Sequence, residues 1–488
     1  MVTKVSGPHP SLYPHVEKLS PSSRLVKEGT PHPELLSRRG FLGIGVTTAA
    51  LACLSRIPGL GTSEAMAADI AEAPPETYMR SLDPKGRDPG YSLIAIHLQG
   101  GASQRETWDP LPDDADASLR GPFRRIRTSA KGVFISENLP LTAGIMDKAV
   151  VIRNLRHNNS GHPSASALMM TGNHEISRSG NGDSFYWDAK KSSPLLEITK
   201  QLQRTGAPNS RHYVLQYYEP MVDGNITPFI APLAGSMHQQ TSNVTYSQHV
   251  PEVGFLNPFG GQVDERRMSE IISLIRAFEE GSTLPDTPRV TQFVNVREDA
   301  ISQMTGELRH AFDLFREPDR VRDMYGRNPF GEQFLISRRL IERGVRVAYD
   351  STGHFDHHYN IETHSKRLFP QLDRALFALI SDIEARGLPV VVAVFSEFGR
   401  TPRINGSQGR DHWPNSNSAF IYKSQGRGGE VIGETRPNGD IVGTPLDASY
   451  FGEYLANQIG WATCTMRGSV QTSVRHREVP KNWSELNL

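Results

Sequence analysis

Buried strands are the clearest signal in the hydrophobic pattern of this chain. Nearly continuous apolar runs predict strands buried on both faces, as in a parallel sheet, at 93–98, 149–154, 345–349 and 388–395, with a further strand at 211–216. Helical spacing predicts helices between them, at 139–147, 164–170, 194–204, 264–281, 291–315, 330–343 and 361–386. This alternation predicts an α/β fold with a doubly wound, mostly parallel sheet flanked by helices.

Long polar segments interrupt this alternation. Residues 174–192 and 218–262 are rich in Gly, Asn, Ser and Pro and lack a clear period, so we expect long loop insertions that could wall a pocket. Residues 68–90 are polar and Pro-rich and predict a linker. The predicted order is therefore a signal region at 1–67, the linker at 68–90 and one domain at 91–488.

The N-terminal segment predicts export. Arg38-Arg39 forms a twin-arginine pattern, the weakly apolar run 43–54 follows, and Ala65-Met66-Ala67 supplies a small-x-small cleavage site. We expect the twin-arginine translocase as a partner and the periplasm or the extracellular space as the destination. The apolar run is shorter than the roughly 20 residues of a bilayer span, so no stable transmembrane span is expected. A retained anchor and lipidation at Cys53 are the alternatives.

Net charge and cysteine content exclude several classes of partner and bond. The formal net charge is +0 and the pI is about 7.3, so no nucleic-acid partner is expected. After cleavage, Cys464 would be the remaining cysteine, which excludes an intramolecular disulfide and a thiolate metal cluster.

Polar loops at the predicted strand ends carry the candidate chemistry, because ligands of open α/β sheets gather beyond the carboxyl ends of the strands. Carboxylates and imidazoles together suit a borderline divalent cation such as zinc, manganese or iron better than calcium. The alternatives to a metal site are that the histidines lie in a polar loop without a function, and that Glu397 forms a salt bridge at the surface. The loops carry Gln99, Ser103 and Glu106; Ser160, His162 and Ser164; Asp350, His354, Asp356, His357 and His358; and Glu397, Arg400, Asp411 and His412.

Several activities lack their sequence signatures. No HExxH or cysteine-pair motif is present, and Ser160 is not part of a G-x-S-x-G nucleophile elbow, which leaves a Ser-His-Asp esterase poorly supported. Gly100-Gly101 lacks the other glycines of a dinucleotide fingerprint, which excludes nicotinamide binding.

Several segments together resemble a known family. They are LQGGAS at 98–103, ETWD at 106–109, the segment 162–172, FDHH at 355–358, EFGRTP at 397–402 and GRDHW at 409–413. With the exported leader, they are similar to the bacterial domain-of-unknown-function family 1501, a branch of the alkaline phosphatase and sulfatase superfamily. The resemblance spans roughly residue 90 to the C-terminus.

The resemblance implies an alkaline phosphatase/sulfatase-like fold that hydrolyses phosphate or sulfate esters with metal ions at the strand ends. It implies Asp356, His358 and His412 as ligands of the first metal, with His354 as a substitute. Glu397 matches the aspartate of an Asp-His pair. Glu397, Asp411 and Glu106 complete the predicted ligands, and the expected cation is zinc, manganese or calcium.

Departures from the superfamily pattern are equally informative. Phe398 replaces the histidine of the Asp-His pair, and Gln99 and Gly100 replace an aspartate of the first strand. His162 occupies the place of the Ser, Thr or Cys nucleophile. It is predicted as a catalytic residue, either as a histidine nucleophile or as a metal ligand.

The leading interpretation is therefore an exported, metal-dependent hydrolase of phosphate or sulfate esters. Arg400 is predicted to neutralise the ester oxygens, and Arg410 and Ser160 to bind the substrate. The expected partner is an anionic small molecule or a sulfated or phosphorylated glycan. A catalytically degenerate binding protein for an anionic glycan or an envelope partner is the alternative, and a structural component of the cell envelope is a third hypothesis.

Overall fold

A computed structural model describes residues 90–172, 310–352 except 312, 355–459 and 480–486, with short segments at 177–178, 185–186, 193–195, 212–218, 242–247, 270, 272–274 and 276. The predicted signal region, almost all of the linker, and most of the helices predicted at 194–204, 264–281 and 291–315 lie outside these residues. All described residues except Gly90 lie within the domain predicted at 91–488, and its boundary stays a prediction.

The five strands predicted from sequence are present as β1, β4, β7, β9 and β10, and further strands accompany them. In chain order they are β1 (Ser92–Leu98), β2 (Arg125–Arg127), β3 (Phe134–Ser136), β4 (Ala149–Arg156), β5 (Ser177–Arg178), β6 (Phe185–Tyr186), β7 (His212–Tyr218), β8 (Ser242–Ser247), β9 (Val347–Thr352), β10 (Val390–Phe395), β11 (Gly399–Arg400), β12 (His412–Trp413), β13 (Asn417–Lys423), β14 (Glu430–Ile432), β15 (Glu434–Thr435), β16 (Ile441–Val442) and β17 (Leu446–Asp447).

Helices connect and cover these strands. The described α-helices are α1 (Ala117–Arg120), α2 (Pro140–Ala143), α3 (His162–Thr171), α4 (Asp319–Tyr325), α5 (Pro329–Glu342), α6 (Ile361–Ala385), α7 (Phe451–Gln458) and α8 (Lys481–Ser484). Short 3-10 turns are found at Met146–Lys148, Leu314–Arg316 and Ala448–Tyr450. The helix predicted at 139–147 is shorter than expected, because Gly144 ends α2 and a 3-10 turn follows.

The central sheet has nine described strands, eight of them in the order β14-β4-β13-β10-β1-β9-β7-β8, and β17 also pairs with β4. The pairs around β1, β9 and β7 are parallel. Strand β13 pairs antiparallel with both β10 and β4, so it runs against the other strands. The prediction of a mostly parallel α/β sheet is confirmed. Within the predicted insertions, the structure describes the β5–β6 hairpin and β8, which extends the sheet.

Two apolar layers cover the sheet, because successive strand residues point to opposite faces. Ile94 and Ile96 belong to one layer with residues of α5 and α6, and Leu93 and Ala95 belong to the other with residues of α3 and α7. Helices on both faces leave the strand ends as the place where polar side chains can gather. Among the described residues, no helix combines the length and apolar character that a bilayer crossing requires.

Candidate metal centre

Four loops meet where the parallel strands end. Strands β1, β9 and β10 lie side by side in register, so the residues that follow Leu98, Thr352 and Phe395 emerge at one edge of the sheet. The loop after β4 leads into α3, and the β11–β12 ladder pairs Arg400 with His412. The predicted convergence of these loops is therefore what the strand order produces.

A close approach of backbone holds two of these loops together. Gly100 has a φ of 105°, and a Cβ atom there would lie 2.6 Å from the backbone nitrogen of Asp356. Only glycine fits such an approach and such a φ without strain. The Gly100 N–H also donates to Glu397 Oε1 at 2.9 Å. Gly100 thus joins the loops that carry Asp356 and Glu397.

Three imidazoles surround one carboxylate at this edge. His358 Nε2 and His412 Nε2 lie 3.0 and 3.1 Å from Asp356 Oδ1. His162 Nε2 lies 3.4 Å from the other oxygen, Oδ2. We refer to His162, Asp356, His358 and His412 as the His/Asp cluster. Its side chains are between 16% and 40% exposed, so the cluster is open to solvent on one side.

Each imidazole of the cluster is oriented through its Nδ1 atom. His162 Nδ1 donates to Glu397 Oε1 at 2.6 Å, and His358 Nδ1 donates to Asp411 Oδ1 at 2.8 Å. His412 Nδ1 donates to the backbone carbonyl of Ser160 at 2.8 Å. Acceptors behind Nδ1 fix the ring and the tautomer, and they are the usual partners of metal-ligating histidines. All three Nε2 atoms therefore face Asp356.

The donor set fits a divalent cation. His358 Nε2 and His412 Nε2 lie 3.0 Å apart, and because both Nδ1 atoms carry hydrogen, two lone pairs would face each other unless a proton or a cation lies between them. Ligand atoms about 2.05 Å from a tetrahedral zinc ion are separated by about 3.3 Å. Atoms of His162, Asp356 and His412 all lie within 4.8 Å of one another, so one ion could contact them together.

Hydrogen bonds and neighbouring charges determine the protonation states at the cluster. Burial alone would lower the pKa of His162, but hydrogen bonds to Asp356 and Glu397 and their negative charge raise that pKa to about 9. Burial opposes ionisation of Asp356 and Glu397, yet their hydrogen bonds to histidines hold both pKa values well below the usual range. Without a bound metal, both ring nitrogens of His162 are therefore protonated at neutral pH, and the positively charged ring lies between two carboxylates.

Glu397 lies behind His162 and not among the groups around Asp356. Its side chain is fully buried, and both oxygens are occupied by hydrogen bonds. Besides His162 and Gly100, His97 Nε2 lies 2.9 Å from Oε2 and the Ser396 hydroxyl 3.1 Å from it. In this arrangement Glu397 orients His162, a candidate metal ligand. This differs from the direct contact between Glu397 and a metal that the sequence predicts.

Asp411 and Ser160 also act behind the histidines. Asp411 is 55% exposed and contacts His358 Nδ1 but not Asp356. Its hydrogen bond to His358 lowers the pKa of the Asp411 carboxyl. Ser160 contributes its carbonyl oxygen to His412. A substrate contact of the Ser160 side chain stays a prediction.

Arg400 is a clamp within the site. Its fully buried guanidinium donates to the carbonyls of Gly101 at 2.7 Å, Arg410 at 2.8 Å and Phe355 at 3.3 Å, and also to the Gly100 carbonyl and Asp356 Oδ1. These bonds use most of its donors. Its role toward ester oxygens stays a prediction, while the geometry supports positioning of Asp356.

Glu106 and Arg410 form an ion pair of their own. Both side chains are 0% exposed, and Arg410 Nη2 lies 2.9 Å from Glu106 Oε1. Arg410 also donates to the carbonyls of Thr401 and Leu119. Neither side chain has a described contact with the His/Asp cluster. Metal binding by Glu106 and substrate binding by Arg410 stay predictions, and the geometry favours a structural ion pair. His354 lies outside the described residues.

Three positioning residues have no signal in the sequence analysis. His157 Nε2 donates to the Glu397 carbonyl at 2.6 Å and thereby ties the loop before α3 to the loop after β10. His97 contacts the Glu397 carboxylate, and Tyr349 contacts His97. The position of His97 near the end of β1, three residues before the glycine pair at Gly100, is the signal that could have identified it.

The fold and the cluster define an α/β protein with a candidate metal centre at the carboxyl edge of its sheet. The chain belongs to the family described as "Protein of unknown function (DUF1501)", whose model matches residues 91–451. No curated protein matches the sequence.

Solved structures show weak similarity. The periplasmic domain of EcEptC from Escherichia coli, solved in complex with Zn, has 8% identity and a TM-score of 0.30, covering 77% of this chain and 84% of that chain. The lipoteichoic acid synthase LtaP from Listeria monocytogenes has 10% identity and 0.33, with 81% and 77% covered. The phosphonate monoester hydrolase SpPMH from Silicibacter pomeroyi has 11% and 0.28, with 76% and 73% covered. Similarity at this level assigns no chemistry to the chain.

Proposed function

We propose that this protein is an exported, metal-dependent hydrolase of phosphate or sulfate esters. The single observation that carries the proposal is the His/Asp cluster, in which three imidazoles with Nδ1 hydrogen-bonded to acceptors direct Nε2 toward Asp356. An arrangement of three imidazoles and one carboxylate favours zinc or another transition metal over calcium, which prefers six to eight oxygen ligands.

A divalent cation bound here would act as a Lewis acid toward an ester oxygen and would activate water at neutral pH. Asp356 would supply negative charge to the cation, and Arg400 would hold Asp356 in place. Glu397, Asp411 and the Ser160 carbonyl would keep the three rings oriented. The N-terminus of α3, which begins at His162, would favour the anionic ester through its backbone dipole.

Export through the twin-arginine pathway is part of the proposal. It is supported by Arg38-Arg39 and the following weakly apolar run. Fusing residues 1–67 to a reporter should send it out of the cytoplasm, and R38K/R39K should retain it there. A reporter exported equally well with both substitutions would count against this route.

A second candidate function is metal-dependent binding of an anionic glycan without turnover. The fully buried Phe398 favours it, because its ring centroid lies 4.9 Å from that of His162 and 4.5 Å from that of His412. An apolar ring at this place offers no ligand to a second cation. One cation would then remain, with fewer groups available for catalysis.

Metal analysis joined to an activity screen tests both candidates. Protein purified without chelators should contain about one transition metal per chain. It should hydrolyse aryl phosphate, phosphodiester or sulfate esters, and lose both properties in D356A and H412A. Stoichiometric metal with saturable glycan binding but no turnover would select the second candidate, and protein that takes up no metal would overturn both.

A further inference from the structure

A buried chain of hydrogen bonds leads from the core of the sheet to the His/Asp cluster. The Tyr349 hydroxyl lies 3.0 Å from His97 Nδ1, and His97 Nε2 lies 2.9 Å from Glu397 Oε2. Glu397 Oε1 in turn accepts from His162 Nδ1. The chain crosses three neighbouring segments, since Tyr349 lies on β9, His97 on β1 and Glu397 just after β10.

The polarity of this chain is determined at both ends. The carboxylate of Glu397 accepts hydrogen bonds only, so His97 Nε2 must be the donor. In a neutral imidazole, which has one donor and one acceptor nitrogen, Nδ1 of His97 is then the acceptor of a hydrogen bond from the Tyr349 hydroxyl. Burial raises the pKa of Tyr349 well above its usual value, so the hydroxyl keeps its hydrogen. One tautomer of His97 therefore satisfies every group in the chain.

The place of His97 is unusual for a polar side chain. It follows Leu93 and Ala95 along one face of β1, and these residues belong to an apolar layer. His97 is 2% exposed, and its ring stacks on Phe395 with centroids 5.3 Å apart. An apolar side chain would fill this position without the desolvation cost of an imidazole. A polar residue here has its clearest effect on Glu397.

We propose that His97, held by Tyr349, is a positioning residue that fixes Glu397 so that its Oε1 atom aims His162 at the metal. This inference rests on the proposed metal site. Removing the donor to Oε2 would let the carboxylate rotate away from His162 and would leave one buried oxygen with a weaker set of partners. His162 would then lose its fixed ring orientation, and the metal would lose affinity.

His97 can be tested with a matched pair of variants. In His97→Gln the amide nitrogen can reach the place of Nε2 and donate to Glu397, whereas His97→Leu fills the space without a donor. We expect the Zn²⁺ affinity to fall by about tenfold or more in His97→Leu, the loss usual for partners of metal ligands, and to be largely restored in His97→Gln. Competition with a chromophoric chelator at fixed pH measures both affinities.

Two further measurements separate positioning from general stability. The visible absorption of bound Co²⁺ reports ligand geometry, so it should change in His97→Leu and return in His97→Gln. Tyr349→Phe removes a single hydroxyl, and it should change affinity in the same direction but less, which keeps the test valid if His97→Leu does not fold. Ile96→Val, on the other face of β1, should lower thermal stability and leave affinity and spectrum unchanged.

The outcomes distinguish the positioning role of His97 from the metal site itself. Wild-type protein that binds Zn²⁺ while His97→Leu and Tyr349→Phe retain its affinity and Co²⁺ spectrum would overturn the positioning role and leave the metal site standing. Equal losses in His97→Gln and His97→Leu would also overturn it, because the donor would then be irrelevant. Wild-type protein that takes up neither Zn²⁺ nor Co²⁺ would overturn the metal site itself.

Discussion

Replacing Glu397 by glutamine removes one buried charge from behind His162 and keeps the shape of the side chain. The rise in the pKa of His162 from 6.5 to about 9 corresponds to about 3.4 kcal/mol of preference for the protonated ring. That preference is shared by Glu397 and Asp356 and is net of the burial penalty. In Glu397→Gln we therefore expect the pKa of His162 to fall well below 9.

Two opposite effects on metal affinity follow from this change. A metal needs the unprotonated Nε2 of His162, so wild-type affinity should fall about tenfold for each pH unit below 9 because of this group. The variant loses an orienting carboxylate, which typically costs about 10- to 100-fold in affinity. In the variant, the proton also competes less with the metal for Nε2 of His162. The affinity deficit of the variant should therefore be largest near pH 9.5 and shrink toward pH 7.

Zn²⁺ competition titrations from pH 6.5 to 9.5 measure this difference. The other residues of the His/Asp cluster are the same in both proteins, so the ratio of the two affinities isolates the effect of residue 397. Asp373→Asn is the control, because Asp373 is a buried carboxylate that binds the backbone N–H groups of Leu141 and Thr142, with no described contact to the cluster. An affinity deficit that is constant or grows as the pH falls would contradict competition between the proton and the metal at His162.

Three further predictions separate the site from its surroundings. Ser160→Ala should leave Zn²⁺ affinity unchanged, because His412 uses the Ser160 carbonyl; a loss in titrations would show a role for the hydroxyl. Glu106→Gln should lower the free energy of unfolding in urea by about 3–5 kcal/mol, because it leaves Arg410 buried without its charge partner; equal loss of Zn²⁺ affinity would contradict a structural pair. Glu317 has a pKa lowered from 4.5 to about 2, since its contacts with Arg338 outweigh burial, so it should contribute up to about 3 kcal/mol above pH 4.5, lost as pH falls toward 2. Acid titrations of Glu317→Gln should lack this dependence.

The fold could be predicted where side-chain pattern alone decides burial. The run at 388–395 lies on β10, and the run at 93–98 lies on β1, because strands buried on both faces need apolar residues throughout. Strand β13 was not predicted, although it pairs with β10 and β4. Its direction depends on partners far along the chain, which no local pattern reveals.

The candidate site could be predicted as a set of loops but not as a set of roles. Strand order explains why Asp356, Glu397 and His412 come together. Their roles depend on which side-chain atoms meet, as when Glu397 turns to His162 and away from Asp356. The pairing of Glu106 with Arg410 joins residues 304 positions apart. His97 falls within an apolar run, where its pattern resembles that of a core residue.

The described arrangement bears on how many cations this site would hold. The ring of Phe398 packs against His162 and His412 on one side, and Arg400 draws the carbonyls of Gly100 and Gly101 together on another. Carbonyls bound to a guanidinium and an apolar ring offer no ligands to a second cation. Among the described residues, the three imidazoles of the cluster direct Nε2 toward Asp356. Within the part of the chain that the structure describes, these side chains therefore support the proposed site with a single cation, whose histidine ligands are oriented by buried Glu397 and exposed Asp411.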